Sequence, residues 1–197
     1  MGCEAAMRLK PLTPDTLDPE RRAVHDTVVE LMVRRQPQIV AQDAQGALIG
    51  PFTAMLHFPS FGVPALRFLA AIGTEARLPA RVREVAILTV GARFGARYEI
   101  YAHEIMAAVA GLSEAQVASV AIGLCPNDLA PEEVIAHQVA DALARGQTLP
   151  ATTYARAVAL LGLNGIGELA FLIGGYCLIS MALNCFDTPV PDVEMQP

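Results

Sequence analysis

The chain has 197 residues, is 53% hydrophobic and only 17% charged, and carries a formal net charge of −6. An acidic chain whose longest basic runs are Arg21-Arg22 and Arg34-Arg35 has no cationic stripe with which to neutralise phosphates, so nucleic-acid binding is excluded as an expectation. A mean hydropathy of +0.40 is high for a soluble monomer, and because polar residues interrupt nearly every apolar run, a buried interface between subunits is expected to absorb the excess, not a membrane.

The opening MGCEAAMRLK lacks the apolar core of a signal peptide, and Ala6 stands where a myristoylation motif needs Ser or Thr. Residues 1–17 read as an irregular arm holding Pro11 and Pro14. Asp18-Pro19 reads as an N-cap followed by proline at the first helical position, opening a helix to about Arg35, which Pro37 stops. Residues 37–51 read as a loop. Short helices follow from Phe52 to His57, ended by Pro59, and from about Pro64 to Ala76. Pro79 opens a helix that runs to Phe94 and closes at Gly95; the next spans 97–110 and closes at Gly111. Ser113-x-x-Gln116 is a capping box for a helix to about Gly123, and Pro131-Glu132-Glu133 opens another that ends near Gly146. Thr152–Leu161 and Glu168–Phe186 complete the series before Pro189 and Pro191.

No alternating strand and no βαβ rhythm is present, so the expectation is an all-α chain of about seven or eight helices: an arm over 1–17, one domain over 18–191 and a tail over 192–197. The apolar run from Leu169 to Leu183 is about fifteen residues, short of the ~20 that a membrane span needs.

Chemistry-bearing residues concentrate in one stretch. Glu84 lies on one predicted helix, in a stripe with Ile87, Leu88 and Gly91, and Arg81 three residues back is a candidate ion-pair partner. Glu99 and His103, four apart on the next helix, face the same way among Ala102, Met106 and Ala107. Glu99 is therefore expected to accept a hydrogen bond from one ring nitrogen of His103, fix the tautomer and leave the other nitrogen to move a proton. The bland alternative is an ordinary surface pair. Arg81, Arg83, Arg93 and Arg97 crowd this region, and Arg81 and Arg97 are the candidates for holding a carboxylate substrate. Tyr98 and Tyr101 flank Glu99, and His57, between Leu56 and Phe58, is a further candidate for the pocket wall. His25 and His137 fall on polar helix faces and are expected to be solvated.

The four cysteines, Cys3, Cys125, Cys177 and Cys185, form no CxxC and no zinc spacing, and read as reduced thiols of a cytoplasmic protein. Two glutamates and one histidine offer part of a carboxylate metal site, but the Glu-x-x-His half of a di-metal set is absent. No metal or cofactor is expected.

Over 81–113, RVREVAILTVGARFGARYEIYAHEIMAAVAGLS, together with GPFTAMLHFP (50–59) and LNCFDTPVP (183–191), the chain resembles the carboxymuconolactone decarboxylase family, which includes alkylhydroperoxidase D (AhpD). The resemblance runs from Leu48 to about Pro189. It implies an AhpD-like helical bundle that assembles into trimers or hexamers, with the site near a subunit boundary. The peroxidase branch carries E…CxxCxxxH. Glu84 and His103 stand at the matching Glu and His, while the two cysteine positions hold Ala96 and Glu99. That departure points to the decarboxylase branch: a cofactor-free lyase or proton-transfer enzyme on a small carboxylated or cyclic substrate, with Glu84, Glu99 and His103 as catalytic residues. A thiol-dependent antioxidant and a non-catalytic ligand-binding member of the fold are the alternatives.

Overall fold

The computed structural model describes residues 7–34 and 37–191. Cys3, the Met-Gly terminus, the first part of the expected arm and the 192–197 tail lie outside them. Among the described residues every regular element is helical. An isolated antiparallel bridge, Gln42 with Leu48, closes the loop ahead of the second helix.

Among the described residues eight α-helices follow in order: α1 (Pro19–Val28), α2 (Pro51–His57), α3 (Pro59–Thr74), α4 (Ala80–Phe94), α5 (Arg97–Val109), α6 (Glu114–Ala121), α7 (Pro131–Ala144) and α8 (Ala151–Cys185). Local sequence chemistry sets most of their ends. The Asp18 side chain accepts from the Arg21 backbone N–H to start α1, and the Ser113–Gln116 capping box forms at α6 with both of its hydrogen bonds. Gly95 ends α4 in the left-handed conformation at φ 61°, where a Cβ would be strained.

Three boundaries depart from the expectation. The first helix was expected to reach Arg35, but regular α-geometry stops at Val28 and a π-turn occupies Val29–Val33, with the Arg34 N–H reaching back five residues to the Val29 carbonyl. Pro59 opens α3 instead of merely ending α2, and Pro64 is accommodated inside it. Proline is tolerated in a first turn, where the N–H has no intrahelical partner, and Pro64 lies only one turn further on. The last two expected helices form one long element, α8, broken at Gly162 (φ 73°, ψ 169°).

The core is organised around α4, in which every residue from Glu84 to Gly91 is buried. A helix enclosed on all sides must be apolar all round, and Val85, Ala86, Ile87, Leu88 and Val90 supply that surface. On one side α4 packs on α7 and α8 through Ile87, Val90, Ile135, Val139, Leu169 and Ile173. On another, Val85 and Leu88 meet Ala107 of α5 and Val117 and Val120 of α6. A separate apolar cluster joins α1, α2 and α3 to Ile179 and Leu183 near the end of α8. The close approach of α3 to α8 depends on Gly175, where a Cβ would lie 2.9 Å from Ile72 Cδ1.

By length and composition α8 is sufficient to cross a membrane, contrary to the fifteen-residue reading. It nevertheless breaks at Gly162 and buries Ile166, Leu169, Leu172, Ile173, Ile179 and Leu183 within the bundle, as a core helix does. Its opposite face leaves Phe171, Leu178 and Met181 exposed.

Candidate functional site

The site is assembled where α4 and α5 run side by side and α8 crosses them. The tight turn at Gly95-Ala96 folds α5 back on α4, and Gly91 lets them approach: a Cβ there would meet Ile100 Cγ1 at 3.2 Å and Glu99 Oε1 at 3.5 Å.

The structure brings Glu84 and His103 together across this helix pair. His103 Nδ1 lies 2.7 Å from Glu84 Oε2, with both side chains largely removed from solvent. A carboxylate can only accept, so with Glu84 ionised Nδ1–H donates and Nε2 carries the free lone pair. The expected Glu99–His103 hydrogen bond is absent. Four-residue spacing puts two side chains on one face, but Glu99 is drawn further inward, towards α8. There its Oε2 accepts from Ser180 Oγ at 2.8 Å, and its Oε1 is sealed from solvent with no partner among the described residues.

Burial of that kind favours the uncharged form. It pushes the Glu99 carboxyl up from 4.5 to about 8, with the Ser180 hydrogen bond pulling weakly the other way. At neutral pH Glu99 is therefore a carboxylic acid carrying its proton, beside an imidazole held by a different carboxyl group. Two carboxyl groups in unlike surroundings divide acid and base roles between them.

Tyr176 of α8 closes the other side of His103. Its ring stands edge-on to the imidazole, with centroids 4.9 Å apart and planes at 88°. Burial, then the negative charge at Glu84 and the one Glu99 acquires once it loses its proton, push the hydroxyl pKa up, with Arg83 opposing them. The phenol thus stays protonated.

The other expected site residues are placed elsewhere. Arg81 does not pair with Glu84; its Nε and Nη2 form a two-pronged ion pair with Glu133 of α7, at 2.5 and 3.2 Å, while Nη1 donates to the Gly111 carbonyl and Nη2 also reaches Gln116 Oε1. Burial works to raise the Glu133 pKa, but Arg81 and the Ala130 N–H more than offset it and hold the carboxylate ionised. Arg97 is turned to solvent and pairs with Asp187 at 2.8 Å. Tyr98 is a buried core residue whose hydroxyl donates to the Val40 carbonyl at 2.7 Å. Its ring fills the space where a Cβ on Gly50 (φ 66°) would fall. His57 shares a 2.9 Å hydrogen bond with the Lys10 carbonyl, tying α2 to the segment ahead of α1. His25 and His137, expected on solvated faces, are both buried. His25 Nε2 sits 3.0 Å from the Gly46 carbonyl.

Sequence reading missed Tyr176 and Ser180. The available signal was their four-residue spacing, which gives an otherwise apolar helix one polar stripe. Among the described residues no three His, Cys, Asp or Glu side chains group closely enough to hold a metal ion. Cys125, Cys177 and Cys185 are unpaired. Burial, then the charge Glu99 acquires once it loses its proton, push the Cys177 thiol pKa up, away from the reactive thiolate. Eight residue steps along the helix separate Cys177 from Cys185, about 12 Å along the axis. That is beyond disulfide reach.

Two open grooves on the molecule lie away from this centre. One, of about 370 Å³, lies between α3 and α8 around Phe68, Ile72, Glu168 and Phe171. The other, of about 390 Å³, lies between α1 and α3 around Val24, Val63 and Leu66.

No family model matches the chain, and no curated protein matches it in sequence. Solved structures do match it in fold. The debrominase Bmp8, in its apo form and as a cysteine-to-alanine variant in complex with 2,3,4-tribromopyrrole, superposes with a TM-score of 0.71 at 13% identity, covering 93% of this chain and 91% of that one. A protein of unknown function from Agrobacterium tumefaciens, named for the antioxidant defence protein AhpD, superposes with a TM-score of 0.64 at 12% identity, covering 71% of this chain and 96% of that one. With every regular element helical and two distinct solved proteins matched over most of their length, the chain has the all-α, AhpD-like fold.

Proposed function

We propose that the chain is a carboxymuconolactone decarboxylase-like enzyme: a cofactor-independent lyase, or a closely related proton-transfer catalyst, acting on a small carboxylated or cyclic substrate. The observation that carries this reading is the 2.7 Å hydrogen bond from His103 Nδ1 to Glu84 Oε2 in a largely buried setting, with the Nε2 lone pair left to exchange a proton. Glu84 orients the imidazole and balances the imidazolium once it forms.

In a decarboxylation the bond to the departing carboxylate breaks, CO2 leaves, and the electron pair delocalises into the adjoining unsaturated system. His103 as imidazolium then delivers the replacing proton to carbon and recovers one from water. Glu99, kept neutral by burial, adds a second proton-bearing group beside that path. The fold neighbours include an enzyme, the debrominase. The thiol-dependent alternative finds less support here, since the thiol nearest the centre, Cys177, has its pKa raised and lies beyond bridging distance of Cys185.

We also read the exposed Phe171, Leu178 and Met181 on α8 as a face covered by further copies of this chain, in a trimer or hexamer. Unpaired thiols fit a cytoplasmic setting. Light scattering of the wild type should give a mass of three or six chains, and Leu178→Glu should reduce it. A monomeric wild type would remove the assembly.

The activity test is CO2 release and deuterium uptake at carbon, in D2O, over a panel of unsaturated lactone carboxylates. Glu84→Gln and His103→Gln should each lose roughly 10²–10⁴-fold of the rate, the range general acid–base groups supply, with unchanged circular dichroism. Full activity in both variants overturns the reading. So does a peroxide-consuming activity that Cys177→Ser abolishes.

A further inference from the structure

The site as described moves protons but has lost both of the cations expected to hold an acidic substrate. Arg81 is committed to Glu133, and Arg97 to Asp187. A third arginine takes their place. Arg83 immediately precedes Glu84 on α4, and it forms no ion pair with any described residue. Its Nε is sealed from solvent without a hydrogen-bond acceptor, while the residue as a whole is only half-buried.

This combination is unusual for a structural arginine. A guanidinium at a surface is satisfied by water, and one drawn into a fold normally brings a carboxylate or carbonyl with it, because an unpaired buried donor is costly. Arg81, only two positions away, shows the satisfied case. Arg83 also lies one helical turn from Ile87, which belongs to the apolar cluster that Tyr176 packs against. Tyr176 in turn stacks edge-on against His103. The stretch of α4 that carries Arg83 and the imidazole of His103 therefore share the surroundings of Tyr176.

We propose that Arg83 is the substrate-anchoring residue of this site, so that the ligand is a small carboxylate whose retained acid group lies on the Arg83 guanidinium while its reacting carbon faces His103. The inference rests on the acid–base reading above and deepens it by assigning the charge of the substrate. The carboxylate on Arg83 stays on the substrate, and no bond to it breaks. A planar, two-pronged guanidinium suits a carboxylate's geometry.

Sodium benzoate serves as the probe, with benzamide as its neutral counterpart of nearly equal shape. Benzoate should bind wild-type protein and shift the Arg83 Nε–H resonance in ¹H–¹⁵N spectra; benzamide should do neither. Arg83→Gln should weaken benzoate at least about tenfold, the loss expected for one charge-assisted contact, and Arg83→Lys should restore part of it. Arg93→Gln, an exposed arginine on the same helix, should leave binding unchanged. Equal binding of benzoate and benzamide, or benzoate affinity untouched in Arg83→Gln, overturns the assignment. Should either variant fold poorly, the wild-type Nε–H shift still decides it: no movement on saturation with benzoate rejects Arg83. The two readings fail separately. If Glu84→Gln and His103→Gln retain full turnover while benzoate still requires Arg83, the acid–base mechanism falls and the anchor stands.

Discussion

Two buried polar clusters grow from the same helix, three residues apart on α4, and they are built on opposite rules. At Arg81 every partner is accounted for: Glu133 takes two prongs, the Gly111 carbonyl and Gln116 take more, and Glu133 also caps the Ala130 N–H at the start of α7. At Glu84 the accounting is left open. The imidazole has one ring nitrogen without a partner among the described residues, Glu99 has an orphaned oxygen and a raised pKa, and Arg83 has a sealed N–H with nothing to bond. Satisfied networks fix helices against one another, whereas unsatisfied buried groups cost stability and persist where a ligand completes them. The first cluster reads as a clamp joining α4, α6, α7 and the turn between α5 and α6, and the second as a site.

The sharpest way to break this contrast is to disable the clamp. Glu133→Ala removes the carboxylate from a half-buried guanidinium and the cap from α7, and is expected to cost roughly 3 kcal/mol, the low end for a broken buried pair because Arg81 remains a third exposed. Thermal melts check the loss. Activity per folded molecule should be unchanged, and a variant that folds normally but is inactive would erase the distinction between the two clusters.

An effect of opposite sign, growing with pH, is expected in the site. Glu99 binds its proton more tightly folded than unfolded, about 8 against 4.5. That contribution to stability is fully present below about pH 4.5 and is lost progressively as pH rises through about 8. Glu99→Gln, which cannot ionise, should flatten this slope, gaining on the wild type by a few kcal/mol at most between pH 5 and pH 9. Melting temperatures of both proteins across that range test it. Parallel curves would mean that Glu99 is ionised in the fold.

The contrast also marks what the sequence made legible. Pro79, Gly95, Gly111 and the Ser113–Gln116 box act within a turn of the helix ends they define, so α4, α5 and α6 could be bounded from local chemistry. The stretch holding Glu84, Glu99 and His103 was visible because three ionisable groups stood in an apolar run. Which of them would touch was not visible. Spacing along one helix says what can meet, but the Glu84–His103 bond and the Glu99–Ser180 bond depend on the rotation and offset between α4, α5 and α8. The same gap misassigned Arg81, whose acceptor lies 52 residues away, and sent His25 and His137 to solvent. Residues contributed by a distant helix, Tyr176 and Ser180, carried only a faint periodic signal in a run otherwise explained by packing.

Arg97 provides the smallest expected effect and the control for the rest. It stood in the motif-rich stretch and was, with Arg81, the anchor expected from sequence. In the fold its side chain is 57% exposed and its partner Asp187 is 36% exposed. An ion pair in water gains little Coulomb energy, loses side-chain freedom and is screened by salt, so it contributes at most about 1 kcal/mol. Arg97→Ala should therefore shift stability by only a few tenths of a kcal/mol, and less at high salt. It should leave benzoate affinity and turnover as in the wild type. A tenfold loss of affinity in Arg97→Ala, with Arg83→Gln silent, would return the anchor to the rim of the helix bundle and remove the reason for reading the unsatisfied cluster on α4 as the place where substrate charge is held.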